Sequence, residues 1–452
     1  MRSMNTAMVP EQNHIRNDFW RSSSARAFGL SVAESALATL QDLLLVLVLP
    51  FTVLWIPLVR VPDVGTLTIS DCVLLLLWGT TLLRFGTKLR KSSGENRALR
   101  IALYAFAPIL FGCLGAFLFD SQSLLTKDIL QHAKRFGLPA IIPLAMLISP
   151  VKLMPRIRVV AVASLLIMVL VPFTPLANLL PVSDVKTDIS GGKGDLRGIG
   201  SLSNPNDFGY VALLGALIGL SHAAGARGHG FWRRAWGTVA VPAGLMGVVL
   251  SGSRSAMAAL LAAALYIVFQ SRISIGRKLC VVSILFMAML VGWQVSSVYQ
   301  DRMANTIEER SRDASTFARI EAQAVAFRTW VHHPLGVGFS NMPTATSEFS
   351  EDAQSFNAVT GSDSIYFDFL VATGALGFMC LILCFRNCWR LADLRPLPVE
   401  ATYLKAGMVA AFVFGLATVA PASVFVAPFF FTITGLAGCL CRDDSLKHVR
   451  WA

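Results

Sequence analysis

Apolar runs long enough to cross a bilayer recur along the whole chain, separated by polar stretches. Candidate spans lie at roughly 40–59, 68–86, 98–119, 134–149, 157–180, 205–223, 235–251, 255–270, 277–298, 363–385, 402–420 and 423–441. A transmembrane helix needs about 20 mostly apolar residues. The pattern therefore predicts an all-α, polytopic membrane protein of about twelve transmembrane helices. The fourth run is the weakest, being short and opened by Lys134 and Arg135. Residues 1–37 are mixed polar and lack the apolar core and small-residue cleavage site of a signal peptide. They read as a cytoplasmic N-terminal extension, followed by one transmembrane domain over 38–441 and a cytoplasmic tail over 442–452.

Charge placement sets the orientation. With a cytoplasmic N-terminus, the inner loops are 87–97, 150–156, 224–234, 271–276 and 386–401, plus the tail. Every one is basic, from Lys88, Arg90, Lys91 and Arg97 in the first to Arg442, Lys447 and Arg450 in the tail, as the positive-inside rule requires. Two outer loops are long, 181–204 and 299–362. In the second, Phe317, Ile320, Ala324, Phe327 and Val331 follow three-four spacing. That spacing predicts an amphipathic helix lying along the membrane face. Asp313 and Ser315 suit its start, and His333-Pro334 with Gly336 and Gly338 its stop.

Composition agrees: 54% of the 452 residues are hydrophobic and 15% charged, against about a quarter charged in soluble proteins. The net charge of +12 then reflects cytoplasmic loops facing anionic lipid, and no nucleic-acid partner is implied. Eight cysteines lie mostly in apolar runs. Cys380, Cys384 and Cys388 share a helical face, but no nearby histidine or carboxylate completes a metal site. No cofactor is implied.

The outer charges depart from the positive-inside trend. Arg254 sits in the tight turn Ser251-Gly252-Ser253-Arg254-Ser255 between two spans. Arg197 lies just before Ser203-Asn204-Pro205-Asn206-Asp207, where another span opens with capping residues and a proline suited to a first turn. Arg319 and Arg328 lie on the loop helix, nine positions apart and so on opposite faces. Guanidiniums from three separate segments on one side of the membrane can capture phosphate through paired donors. Independent contacts with lipid headgroups are the plainer alternative. Asp363 and Asp368 mark the outer start of the span after the large loop. An acid at that depth should be paired or functional, or simply favoured by the helix dipole.

Over residues about 180–380 these segments resemble the O-antigen ligase and O-antigen polymerase-type membrane proteins of bacteria. The shared motifs, in order, are Arg197-Gly198 with Asn204-Pro205-Asn206, then Gly252-Ser253-Arg254-Ser255, then Arg319 with Pro334-Leu335-Gly336-Val337-Gly338, then Thr373-Gly374-Ala375-Leu376-Gly377. The resemblance implies a GT-C-like, metal-independent glycosyltransferase of the bacterial inner membrane, with both termini cytoplasmic and one large periplasmic loop. Its donor and acceptor would be glycans on undecaprenyl pyrophosphate, its surroundings membrane lipids, and its candidate partners the flippase and chain-length regulator of the same pathway. It would place Arg197, Arg254 and Arg319 on the diphosphate. Ligases of this family begin the span after the large loop with a His-Asn-Ser-Tyr-Leu-like sequence. This chain has Asp363-Ser364-Ile365-Tyr366-Phe367 there, and Ala372 where the family has an acid before Thr-Gly. That favours a repeat-unit polymerase over a ligase, with Asp363 or Asp368 near the acceptor as catalytic base. A lipid-linked glycan flippase or a transporter also remains open, although either would use charges deep in the spans.

Overall fold

The computed structural model describes residues 11–54, 56–61, 65–88, 91–120, 129–130, 132–170, 187–188, 195–196, 202, 204–225, 231–270, 274–276, 278–279, 283, 314–350, 362, 364–393, 398–418, 423 and 425–449. A backbone in hydrocarbon must satisfy its own hydrogen bonds, so apolar runs become helices. Eight helices among the described residues are long and apolar enough to cross a membrane. In chain order these lie in α1 (Glu11–Leu54), α2 (Ile69–Thr87), α3 (Ser93–Phe119), α5 (Met154–Leu170), α6 (Pro205–Gly225), α7 (Phe231–Ser251), α11 (Ile365–Leu391) and α12 (Val399–Leu416). The helix α4 (Ile142–Ile148) precedes α5. Two shorter apolar helices follow the same plan: α8 (Arg254–Phe269), and the Val426–Cys441 part of α13 (Val426–Val449). The large loop contributes α9 (Ala314–His332) and α10 (Met342–Ser347). A small antiparallel hairpin, β1 (Pro57–Val61) with β2 (Gly65–Thr68), joins α1 to α2.

One of the twelve expected spans differs, and one lies almost wholly outside the described residues. The fourth is not one helix: a π-turn (Ala133–Gly137) and a 3₁₀ turn (Leu138–Ile141) lead into the short α4. Pro139 and Pro143 explain the break, since each removes a backbone donor from the helical ladder. The ninth, at 277–298, lies almost wholly outside the described residues.

The centre of the bundle is α6, buried over 78% of its span, so it is apolar all round rather than striped. It is joined to α7 by small residues. A Cβ on Gly219 would collide with Ala240, one on Gly244 would reach 2.5 Å from Ala216, and one on Gly247 would reach 2.6 Å from Ala212. Spacings of three and four put these residues on one stripe, so the two backbones nearly touch. The helix α12 closes the other side of α6, and α13 packs on α12 and α4, while α3 runs along α11.

Charged and polar contacts gather at the two ends of the bundle. The loop helix α9 is where the sequence placed it, but its apolar stripe points the other way from a core. Ile320, Phe327 and Val331 are exposed, whereas Val325, Ala326 and Thr329 are buried on the side facing α11. In a membrane protein an exposed apolar stripe is a lipid-facing one, and a face of small residues is the packed one.

Candidate functional site

Four sequence motifs meet in two pairs at one end of the bundle, called here the Arg254 end. In the first pair, the turn between α7 and α8 sits on the first turn of α6. A Cβ on Gly209 would collide with Ser251, so glycine is what lets the Ser251–Ala256 turn approach. The turn itself is held internally. Gly252 has φ +56, Ser253 caps α8 by accepting from Ala256 N–H at 3.3 Å, and Ser251 Oγ accepts from Ser253 N–H at 3.1 Å. Arg254 is thus the first residue of α8, half-buried, set beside the opening of α6 where Asp207 is buried. Ser423, from the link between α12 and α13, donates to Asp207 Oδ2 at 2.5 Å.

In the second pair, the turn Pro334–Gly338 is built into a break in α11. Gly374, at φ +66 and ψ −172, interrupts the helix in a region essentially closed to other residues. The carbonyls and N–H groups freed by the break are taken up by the loop. Val337 N–H donates to Val371 O at 3.0 Å, Gly338 N–H to Ala372 O at 2.9 Å, and Ala375 N–H to Pro334 O at 3.2 Å. A Cβ on Gly115 of α3 would lie 2.7 Å from the Gly336 backbone, so α3 clamps the joint from behind. A small separate core of Ala326, Val337, Met342, Ala345, Val371 and Ala372 fixes α9 and α10 to it.

The end of α12 connects the two pairs. Gln323 of α9 donates to Leu416 O at 3.2 Å. Ile365 N–H and Ser364 Oγ, at the start of α11, donate to Thr418 O and Gly415 O. Arg319 lies one turn before Gln323 and is half-buried, while Arg328 is exposed on another face of α9. Asp368 lies in the first turn of α11, where Ser362 N–H and Ser362 Oγ both donate to its Oδ1, at 2.7 and 2.6 Å. Arg197 and Asp363 lie outside the described residues.

Arg135 lies in the π-turn, which packs against the start of α11. Its neighbours His132 and Phe136 are buried and both touch the Phe369 ring, at 5.0 and 5.8 Å between centroids. His132 also bonds Ala105 O, near the middle of α3, at 3.1 Å. Trp78, in the middle of α2, donates to Leu138 O at 2.9 Å. Arg135 itself is exposed. Asp71 has a different fate: it caps α2 through Thr68 and pairs with Lys134 at 2.9 Å. Among the described residues, no group of three or more His, Cys, Asp and Glu converges.

Helices long and apolar enough to cross a membrane, with arginines and acids of α6, α8, α9 and α11 at one end, define a multi-pass membrane protein with polar residues gathered at one end. Residues 238–382 match the sequence model of the family described as O-antigen ligase, and this part of the chain carries that domain. The match spans the Arg254 turn, the Pro334–Gly338 turn and the break at Gly374, while the Asp207 partner lies before it. Comparison with curated proteins finds no match.

Proposed function

We propose that this protein is a membrane glycosyltransferase that polymerises oligosaccharide repeat units carried on undecaprenyl pyrophosphate, at the periplasmic side of the bacterial inner membrane. The carrying observation is the way the Arg254 turn abuts the opening of α6, where Gly209 lies against Ser251 and Asp207 is buried. The acceptor hydroxyl oxygen attacks the anomeric carbon of the donor, and the bond from that carbon to the diphosphate oxygen breaks. The proton of the hydroxyl passes to a carboxylate, for which Asp368 and Asp363 are the candidates. The diphosphate leaves on its lipid with its charge met by Arg254, Arg319 and Arg197. Arginines set in a site of low dielectric stabilise such a leaving group in the way an oxyanion hole does. They can take the place of a metal, so turnover in excess chelator should equal that without it.

The alternative is an O-antigen ligase that moves the finished glycan to lipid A core. The description of the matching family favours it; the aspartate at position 363, where ligases have histidine, favours the polymerase. A deletion strain separates them. Accumulation of single lipid-linked repeat units supports the polymerase. Long polymer on the carrier lipid, with none on lipid A core, makes the protein a ligase.

A further inference from the structure

A cavity of about 690 Å³ opens between α1 and the start of α5. That volume falls within the roughly 300–1,000 Å³ of small-ligand sites. A Cβ on Gly225, the last residue of α6, would lie 3.1 Å from Arg158, so α5 begins at the end opposite Arg254. The cavity is polar at its mouth and apolar in its depth. Thr39 and Asp42 of α1 line the mouth, together with Arg156 of α5. Val46 and Val160 line the depth, each four residues further along its helix, or about 6 Å at ~1.5 Å per residue. Leu43 and Val159 complete that apolar wall. Among the described residues, neither Asp42 nor Arg156 makes an ion pair. Asp42 Oδ1 accepts from Ser149 Oγ at 2.7 Å, which leaves Oδ2 for another donor. Thr39 Oγ1 gives its proton to Ser35 O at 3.0 Å, so towards the cavity it can only accept. Trp236 of α7 donates to Val159 O at 3.4 Å, and tryptophan at a membrane boundary marks the headgroup level.

We propose that this cavity binds phosphatidylethanolamine from the leaflet on that side, with the phosphate on Arg156, the ammonium between Asp42 and Thr39, and an acyl chain along Val46 and Val160. The inference does not depend on the reaction proposed above. An acid and a cation that share a cavity without pairing fit a headgroup that carries both charges. A guanidinium holds a phosphate through paired donors. A primary ammonium has three hydrogens to donate, and Asp42 and Thr39 present only acceptors to it. A choline headgroup carries the same charges but has no hydrogen to donate, and a glycerol headgroup has no cation for Asp42. The apolar depth selects a lipid over a soluble phosphate ester. A lipid seated there joins α1 to α5.

The test uses the full-length protein in phosphatidylcholine nanodiscs, with an equal part of phosphatidylethanolamine or phosphatidylglycerol added. Native mass spectrometry counts the lipid retained on the protein, and melting temperature is recorded in each nanodisc. Wild type should retain phosphatidylethanolamine several-fold over the other two lipids. It should also melt a few degrees higher when that lipid is present, since a ligand of the folded state alone stabilises it. Asp42→Asn, whose amide oxygen can still accept from Ser149, should retain lipid but lose the choice of ethanolamine over choline. Thr39→Val should weaken that choice with Asp42 intact. Arg156→Gln should retain several-fold less of every lipid and lose the rise in melting temperature. Melting in phosphatidylcholine alone shows that each variant is folded. Equal retention of the three lipids by wild type would mean an ordinary lipid annulus and would overturn the proposal. A preference for phosphatidylglycerol would overturn it too, because the cavity would then read negative charge alone. So would an unchanged ethanolamine preference in both Asp42→Asn and Thr39→Val, or unchanged retention in Arg156→Gln.

Discussion

The two ends of the bundle use the same residue types to different effect. At the end opposite Arg254, each described ion pair is closed. Lys88 and Glu95 pair across the capping box of α3. Arg84 donates to Gln41 Oε1 at 2.9 Å, and Ser149 ties Gln41 to Asp42. Arg97 donates to Arg390 O, and Lys405 lies 3.2 Å from Asp393 and 4.2 Å from the centre of the Trp389 ring. These contacts seal helix ends. At the Arg254 end, glycines bring irregular backbone together, and Arg254, Arg319, Asp207 and Asp368 lie on the segments that meet there. On the proposed function, charge that finishes a helix and charge placed for a ligand differ in their surroundings, not in their identity.

The largest effect that would sharpen this contrast is at Arg254. Arg254→Ala should lower polymer yield by about 100- to 1,000-fold, the usual cost of losing one transition-state donor. Arg254→Lys should fail nearly as badly, because a point charge cannot replace the paired donors. Polymer length on gels, at equal protein level, reads both. Wild-type yield in Arg254→Ala would make the two ends equivalent and break the comparison. Arg328→Ala, altering an exposed residue, should be mild.

Asp368→Asn comes next. It keeps the shape of the side chain and removes the proton-accepting charge, so turnover should fall by about 100-fold or more. Pyrophosphate affinity should be equal or higher, since a negative charge beside the diphosphate is lost. Asp363→Asn is the companion variant: if it alone abolishes transfer while Asp368→Asn does not, Asp363 is the base.

Gly374→Ala tests whether the broken α11 is what organises the Arg254 end. The new Cβ would lie 2.5 Å from Leu335 C and 2.6 Å from Pro334 O, and the backbone conformation strongly favours glycine. Strain alone costs roughly 1–3 kcal/mol. The expected result is a lower melting temperature, with faster proteolysis between α9 and α11. A normal melting temperature would show that the loop relaxes without the joint.

How much of this was readable in the sequence follows from where the signal lies. Periodicity and loop charge located the spans, because each is a property of a continuous stretch. The ends of α9 fell between Asp313 and His333-Pro334, where capping and proline chemistry put them. The four motifs were visible, but not their pairing: Gly209 against Ser251, and Gly336 against Gly374, are contacts of irregular backbone that leave no period. The stripe of α9 was legible as a period, but the face of small residues that packs on α11 was not. Lys134-Arg135 reads as a poor start to a span, and only the π-turn shows that Lys134 is tied to the cap of α2.

The smallest effect is expected at the opposite end. Asp393→Asn removes the carboxylate facing Lys405 while keeping a hydrogen-bond acceptor. The Asp393 side chain is 46% exposed, so water already screens the pair, and such pairs contribute about 0–1 kcal/mol. Lys405, 5% exposed, keeps the Trp389 ring, and a cation over an aromatic face retains some stabilisation of its own. The melting temperature should therefore move by a degree or two, and transfer should match wild type. A loss of transfer as deep as that of Asp368→Asn would mean that the two ends are coupled. The sealed helix ends would then belong to the mechanism, and the division drawn here between finishing charges and waiting charges would not hold.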